Sequence, residues 1–283
     1  MKGKTKKKGL FLLDNFADNL KEMRSFVKKI SALLFFGFFA FPPSAFCQVD
    51  TAWVRYYNGP GDSTDEAHAM TVDDSGNVYV TGWSFGGTAT GMDYATIKYD
   101  RNGNLLWLKR FYGSANGYDY SAGVSLDRKS NVYVAGSSQN LTTLDDYATV
   151  KYDSQGNQQR VVFYDGPING ADGANALTVD PYCNIYVTGS SDSTNVGGVC
   201  ESALNFDYVT LKYDSTGNRL WAARYSNPPD YENFAYFVSV DKGGNVYVSG
   251  YSYNWCLNQL EWVTVKYDST GTQQWVQRMD AGL

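Results

Sequence analysis

One short stretch returns four times along this chain, and it constrains the fold more than any other feature. It has the form Asn-Val/Ile-Tyr-Val-x-Gly and ends at Gly82, Gly136, Gly189 and Gly250, at intervals of 54, 53 and 61 residues. A second stretch keeps the same period and occupies residues 93–100, 146–153, 207–214 and 261–268. A period near fifty residues is typical of solenoids and propellers.

Each repeat contains four strand-like runs, which in the first repeat are 67–73, 77–82, 94–99 and 105–112. Turns of the form Asp-x-x-Gly-Asn join the first run to the second and the third to the fourth. In such a turn the Asp accepts backbone amides and the Gly takes a left-handed conformation. The sequence therefore predicts an all-β fold, a β-propeller built of four-stranded antiparallel blades. Ser130 and Cys183 replace the turn glycine in two repeats.

The predicted repeat domain covers residues 48–283, with units at about 67–112, 122–164, 174–225 and 235–279. Residues 53–57 match the fourth strand of these units and form an extra outer strand. Each of the four units already has a fourth strand of its own, so this segment has no place among four blades. We therefore expect about four blades in an incomplete or open propeller, which self-associates or joins further blades. A closed four-bladed ring is the alternative.

The N-terminal 47 residues are typical of an export signal. Lys28 and Lys29 precede an apolar run of twelve residues, and Ala45-Phe46-Cys47 offers a cleavage site before Gln48. Twelve residues are too few to cross a bilayer, so no membrane span is expected in the mature chain. The sequence predicts a secreted or cell-surface protein. Lipid attachment at Cys47 and a start at Met23 instead of Met1 remain open alternatives.

Charge excludes one class of partner. Residues 1–47 hold nine of the 24 basic and three of the 29 acidic residues, which leaves a net charge of −11 on the remainder. A nucleic-acid partner requires a basic face, so we predict none.

Three cysteines follow the predicted cleavage site. Cys200 and Cys256 fall in corresponding long loops of neighbouring units, and we predict that they form a disulfide with Cys183 left free. His68 is the only histidine, so a zinc site of the usual Cys/His type is excluded. No cofactor is predicted.

At residues 65–82 and 172–189 the chain resembles the bacterial seven-bladed β-propeller repeat family (SBBP repeats). The family signature looks like Asp-Tyr-Gly-x-x-Ile-Ala-Val-Asp-x-x-Gly-Asn-Val-Tyr-Val-Thr-Gly, and the resemblance covers about residues 53–283. It implies an exported, often surface-attached propeller. The family pattern brings no catalytic residues, so none is carried over.

Two sets of acidic residues recur at the ends of the strands next to the long loops, and they are the candidate binding residues. The sets are Asp65, Asp119 and Asp172, with Asn233 in the fourth place, and Asp93, Asp146, Asp207 and Glu261. One interpretation is a ring of carboxylates that attracts Ca²⁺. The other is that each Asp caps its own loop by accepting backbone amides. Repetition in every unit favours the structural role, so no metal site is predicted from them.

The function that the sequence favours is a non-enzymatic binding or scaffold module, whose long-loop face takes a protein or glycan. An enzyme acting on carbohydrate is the first alternative, with Glu201 and Asp192 as the acids to test. A structural spacer within a larger surface protein is the second.

Overall fold

The computed structural model describes residues 51–114, 117–193, 205–226, 231–254 and 257–280. Every regular element in these ranges is a β-strand. The strands are β1 (Asp65–Val72), β2 (Val78–Phe85), β3 (Met92–Tyr99), β4 (Leu105–Phe111), β5 (Asp119–Leu126), β6 (Val132–Asn140), β7 (Leu144–Tyr152), β8 (Gln158–Tyr164), β9 (Asp172–Val179), β10 (Ile185–Asp192), β11 (Phe206–Tyr213), β12 (Arg219–Tyr225), β13 (Tyr231–Val240), β14 (Val246–Asn254), β15 (Gln259–Tyr267) and β16 (Gln273–Asp280). Within these ranges there is accordingly no helix that could cross a membrane.

The strands form four separate antiparallel sheets of four, each a simple meander in chain order. We call them blades 1 to 4. This confirms the predicted all-β fold of four-stranded blades. The first strand of each blade packs against the first strand of the next, which places β1, β5, β9 and β13 on the inner side. In the described part of the chain, blades 1 and 4 do not pack together as successive blades do, so the sheets are not closed into a ring.

The short turns are built on one Asp each. Asp73 Oδ1 accepts the amides of Ser75 at 3.0 Å and Asn77 at 2.9 Å, and its Oδ2 accepts the Asn77 side-chain amide. Gly76 has φ 81°, a conformation that costs other residues about 1–2 kcal/mol. Ser130 and Cys183 adopt the same conformation in blades 2 and 3, with φ 59° and 65°. The Asp network therefore holds the turn even without glycine.

The glycine that ends each repeated stretch faces a bulge in the first strand of its blade. The bulge places one extra residue in each first strand, because the register shifts between Ala67 and Ala69 and at the matching places. A Cβ on Gly82 would overlap the carbonyl oxygen of Glu66, and Gly136, Gly189 and Gly250 meet the matching carbonyl of their own blades. Only glycine allows this close approach.

The core lies between blades. Between blades 1 and 2 it contains Tyr79 and Tyr94 from the first blade and Val132, Val134 and Tyr152 from the second. Matching clusters lie between blades 2 and 3 and between blades 3 and 4. Fully burying one such side chain is worth about 1.5–3 kcal/mol, so each blade depends on its neighbours for its stability.

A polar contact repeats at each junction next to this core. Lys98 Nζ and Trp107 Nε1 of blade 1 both donate to the Ser154 carbonyl in a turn of blade 2, at 3.3 and 3.2 Å. Lys212 and Trp221 of blade 3 do the same to the Ser269 carbonyl of blade 4. In blade 2 Arg160 replaces the Trp, and Lys151 alone donates, to the Ser215 carbonyl at 2.9 Å. We call this contact the turn clasp.

Residues 53–57 hold the place of an outer strand beside blade 1. Trp53 Nε1 donates to the Arg101 carbonyl at 3.2 Å, as Trp107 does one blade later. The structure assigns no strand here, because a strand requires a ladder partner and no third strand lies beside this segment in the described chain. A cleft of about 280 Å³ separates the segment from blade 1; its lining includes Trp53, Ala67, Val80, Ile97 and Tyr99.

Several predictions concern residues outside the described ranges. These are the signal peptide at 1–47, the Cys200–Cys256 disulfide and the candidate acid Glu201, and they stay predictions. Cys183 lies in the short turn of blade 3 as a free cysteine.

Candidate functional site

The first recurring acid set joins consecutive blades. Asp65, Asp119 and Asp172 each begin the first strand of a blade, and their Oδ2 atoms accept the amides of Gly59, Gly113 and Gly166 at 2.9, 2.8 and 2.5 Å. Each glycine belongs to the segment that enters the blade. Asp119 and Asp172 are about 1% exposed. These carboxylates fix the chain between blades.

The second set lies at the start of each third strand. Asp93 binds Arg110 at 2.7 Å and Asp207 binds Arg224 at 2.9 Å, both within their own blades. Asp146 of blade 2 instead accepts the Asn140 side-chain amide and the Thr143 hydroxyl. In blade 4 Glu261 pairs across the sheet with Ser252.

Among the described residues, a group of three carboxylates that includes members of both sets lies at the junction of blades 2 and 3. Asp146 and Asp172 meet there with Asp165, an exposed residue that is not a member of either recurring set. Burial, followed by repulsion from Asp165 and Asp146, raises the pKa of Asp172 to about 6.

A different surface distinguishes one blade from another. The extra residue at the bulge of each first strand is His68, Ala122, Asn175 or Tyr236, and the second-strand residue after the repeated glycine is Trp83, Ser137, Ser190 or Tyr251. Bulges redirect side chains and are frequent next to functional sites. This bulge row therefore displays a non-repeating set of side chains on a repeating frame.

Aromatic rings dominate the bulge row in blade 1 and extend into blade 2. Trp83 Nε1 donates to His68 Nε2 at 2.8 Å, and the Trp83 ring meets the Tyr120 ring edge-on at 5.5 Å. Tyr118 stacks on Tyr120 with an interplanar angle of 3°. Tyr118 is 53% and Tyr120 37% exposed. This aromatic cluster of four residues offers flat apolar surface with hydroxyl groups at its edge.

Blade 4 carries a second aromatic group at the matching positions. Tyr236 stacks on Tyr251 at 5.7 Å, and Phe234 packs against Tyr251 at 5.4 Å. Burial and a hydrogen bond with Tyr236 raise the pKa of Tyr251 to about 12. Between the two groups, Ala122 and Asn175 fill the bulge positions, and Asn175 donates to the Ala235 carbonyl at 2.8 Å.

Of the two acids suggested for the enzyme alternative, Asp192 lies in the described ranges. Asp192 ends β10 and its Oδ1 accepts the amide of Ser193 at 2.8 Å. Its suggested partner Glu201 lies outside the described ranges, so the pair has no measured separation.

Comparison with known proteins supports the repeat assignment. The family model described as SBBP: Beta-propeller repeat matches residues 52–88 and 106–141. Each match spans an outer segment and the next two strands, which pairs residues 53–57 with β4. No curated protein matches the chain.

Solved structures with a similar fold have low identity. A eukaryotic initiation factor matches at 10% identity over 75% of this chain, with a TM-score of 0.38, and the chain covers only 55% of that protein. An endo-arabinase from Bacteroides thetaiotaomicron matches at 11% identity over 78% of this chain and 83% of its own, with a TM-score of 0.40. A Synechocystis apocarotenoid oxygenase matches at 9% identity over 74% and 62%, with a TM-score of 0.31. None of these likenesses carries an argument about activity.

Proposed function

We propose that this chain, with its SBBP-type repeats, is an exported, non-enzymatic binding module that holds a glycan or protein on its bulge row. The proposal rests on one observation, which is that the residues of the bulge row differ from blade to blade. Turns, core tyrosines and turn clasps recur from blade to blade, whereas the bulge positions hold His, Ala, Asn and Tyr. A surface that serves only to build the frame has no need of such variation.

The chemistry of the row suits recognition. Trp and Tyr combine a large apolar face with a polar group, and they are enriched at binding hot spots. The Tyr118–Tyr120 stack and the adjoining Trp83 form such a surface at the long-loop end of blades 1 and 2. Trp83 stands on β2, which is paired on both sides, and Tyr120 stands on β5, which is paired with β6, so the rings are held on a rigid support.

The purified chain should be tested on a glycan array and, in parallel, by pull-down from an extract of the source cells. We expect a specific ligand whose binding falls at least tenfold in Tyr120→Ala and Trp83→Ala. Leu105→Ala, at an exposed position at the start of β4, is the matched control and should bind as the wild type does. Binding unaffected by both ring deletions would refute the proposal, and turnover of a bound glycan would favour the enzyme alternative.

A further inference from the structure

Blade 2 lacks the cation that blades 1 and 3 place on the same carboxylate. Arg110 lies opposite Ala95 in its sheet and binds Asp93, and Arg224 holds the matching place in blade 3. The register puts Phe163 at this position in blade 2. The tyrosine hydroxyl that Arg110 contacts, on Tyr57 at 2.9 Å, is also missing from blade 2, where Phe111 and Phe163 pack at 6.4 Å.

Blade 2 also carries an additional carboxylate next to Asp146. Asp165 follows Tyr164, the cross-strand partner of Tyr147, and so stands next to Asp146. Its counterparts are Tyr112, Ser226 and, in blade 4, Asp280, where the arginine is retained as Arg278. In blade 1 the corresponding charges are those of Asp93, Asp119 and Arg110, a net of −1. In blade 2 they are those of Asp146, Asp165 and Asp172, a net of −3. Arg224 of blade 3 is engaged with Asp207 and Ser191.

Two of the three carboxylates are buried and retain a free oxygen. Asp146 and Asp172 are 2% and 1% exposed, and Oδ1 of each has no hydrogen-bond partner among the described residues. Oδ1 is also unpartnered in Asp65, Asp93, Asp119 and Asp207, but a guanidinium neutralises Asp93 and Asp207. A buried charge that no cation balances is unfavourable by several kcal/mol, so a bound cation would stabilise blade 2.

One oxygen from each of Asp146, Asp165 and Asp172 lies within 4.8 Å of the others. We propose that these three carboxylates bind Ca²⁺ at the junction of blades 2 and 3, where the ion takes the part of the missing arginine. Ca²⁺ prefers carboxylate oxygens at roughly 2.4 Å, so that ligands on opposite sides of it are about 4.8 Å apart. Mg²⁺ demands shorter, strictly octahedral contacts, and zinc sites favour His and Cys, which this cluster lacks.

The ion would join two blades. Asp146 and Asp165 belong to blade 2 and its exit, whereas Asp172 begins blade 3 and holds the connecting backbone through Gly166. Ca²⁺ binding should therefore stabilise this junction in addition to neutralising it. The site is independent of the bulge row, since none of its ligands belongs to that row.

The test uses the full chain, stripped with EDTA and titrated with CaCl₂ at pH 7 by calorimetry. We expect one site and a rise in melting temperature with Ca²⁺ concentration. Asp165→Asn, at an exposed position, should weaken binding at least tenfold, and Asp74→Asn in an exposed turn of blade 1 should leave it unchanged. Phe163→Arg, which restores the guanidinium of blades 1 and 3, should abolish binding and raise the melting temperature of the metal-free protein.

Absence of any calcium-dependent heat or thermal shift in the wild type would overturn the proposal. Wild-type affinity in Asp165→Asn would overturn it as well. Tighter binding of Mg²⁺ than of Ca²⁺ would refute the assignment of the ion.

Discussion

Replacing Arg110 by methionine isolates the role of the guanidinium that blade 2 has lost. Arg110 donates to Asp93 Oδ2 at 2.7 and 3.1 Å, to the Ser84 hydroxyl at 2.6 Å and to the Ser84 carbonyl at 2.8 Å. Arg110→Met keeps most of the apolar stem but leaves the Asp93 carboxylate buried without a cation, since Asp93 is 2% exposed.

Removing one partner of a buried ion pair costs about 3–5 kcal/mol. Because 18% of the Arg110 side chain is exposed, water can replace part of the lost contact, and we expect a value near the lower limit, about 3 kcal/mol. For a domain of this size that corresponds to a fall in melting temperature of about 6–12 °C. The double variant Asp93→Asn/Arg110→Met buries no charge and should be only about 1 kcal/mol less stable than the wild type.

Urea unfolding followed by tryptophan fluorescence and circular dichroism provides the measurement, since coincident transitions are needed to extract a free energy. Arg101→Met, which removes an exposed arginine from the neighbouring turn, is the matched control and should change stability by less than about 0.5 kcal/mol. If the double variant is as unstable as Arg110→Met, the guanidinium does not act by neutralising Asp93, and the reasoning about blade 2 fails with it.

Three further predictions follow from other parts of the molecule. Ser130→Gly should stabilise the protein by about 0.5 kcal/mol, because Ser130 has φ 59° and glycine relieves that strain at some cost in unfolded-state entropy; a lower melting temperature would contradict this. Acid should destabilise the fold as the pH falls from about 4 to about 2. Hydrogen bonds from the Thr216 hydroxyl and the Asn218 amide lower the pKa of Asp214 to about 2, below its ordinary 3.8. The stabilisation from this carboxylate is therefore present above pH 4 and is lost when the carboxylate is protonated. Over this pH range the melting temperature of Asp214→Asn should fall less than that of the wild type. A wild-type melting temperature that does not change with pH would contradict the prediction. Residues 48–283 should self-associate in sedimentation, because Met70 and Val72 of blade 1 are 63% and 52% exposed, whereas their counterparts in blades 2 to 4 are partly buried against the core. A compact monomer that binds no apolar dye would show that the ring closes.

The blades could be predicted from the sequence because the repeat encodes each of their parts. The Asp-x-x-Gly-Asn turns mark the hairpins, and alternating apolar residues such as Val78 and Val80 mark the strands between them. The same reasoning predicted an outer strand at 53–57, and the segment does hold that place. It lacks strand hydrogen bonds because the third strand of its blade is not among the described residues.

The candidate sites were harder to predict because they are exceptions to the repeat. The acids that recur from unit to unit are the ones a repeat pattern reveals, and most of them are buried groups that fix the frame. The position of Asp165 holds an acid again only in blade 4, as Asp280, and there the arginine is kept as Arg278. The signal of the site is the loss of the arginine at Phe163 together with an acid two residues later, and it is visible only when the repeats are aligned by strand register. The aromatic cluster combines rings from two blades, and its position depends on a bulge that no residue pattern marked.

The turn clasp has a consequence for how such a chain can change its length. Each clasp runs in one direction, from the third and fourth strands of one blade to a turn of the next: blades 1 and 3 supply a Lys and Trp pair of donors, and blade 2 supplies Lys151 alone. A gene duplication that copies one whole unit therefore supplies a blade that can clasp both of its new neighbours. A copied half-unit would separate donors from acceptor and leave polar groups unsatisfied against an apolar core. Chains of this design can gain or lose whole blades with little disturbance, while the exceptions at Asp165 and in the bulge row give each blade its individual role.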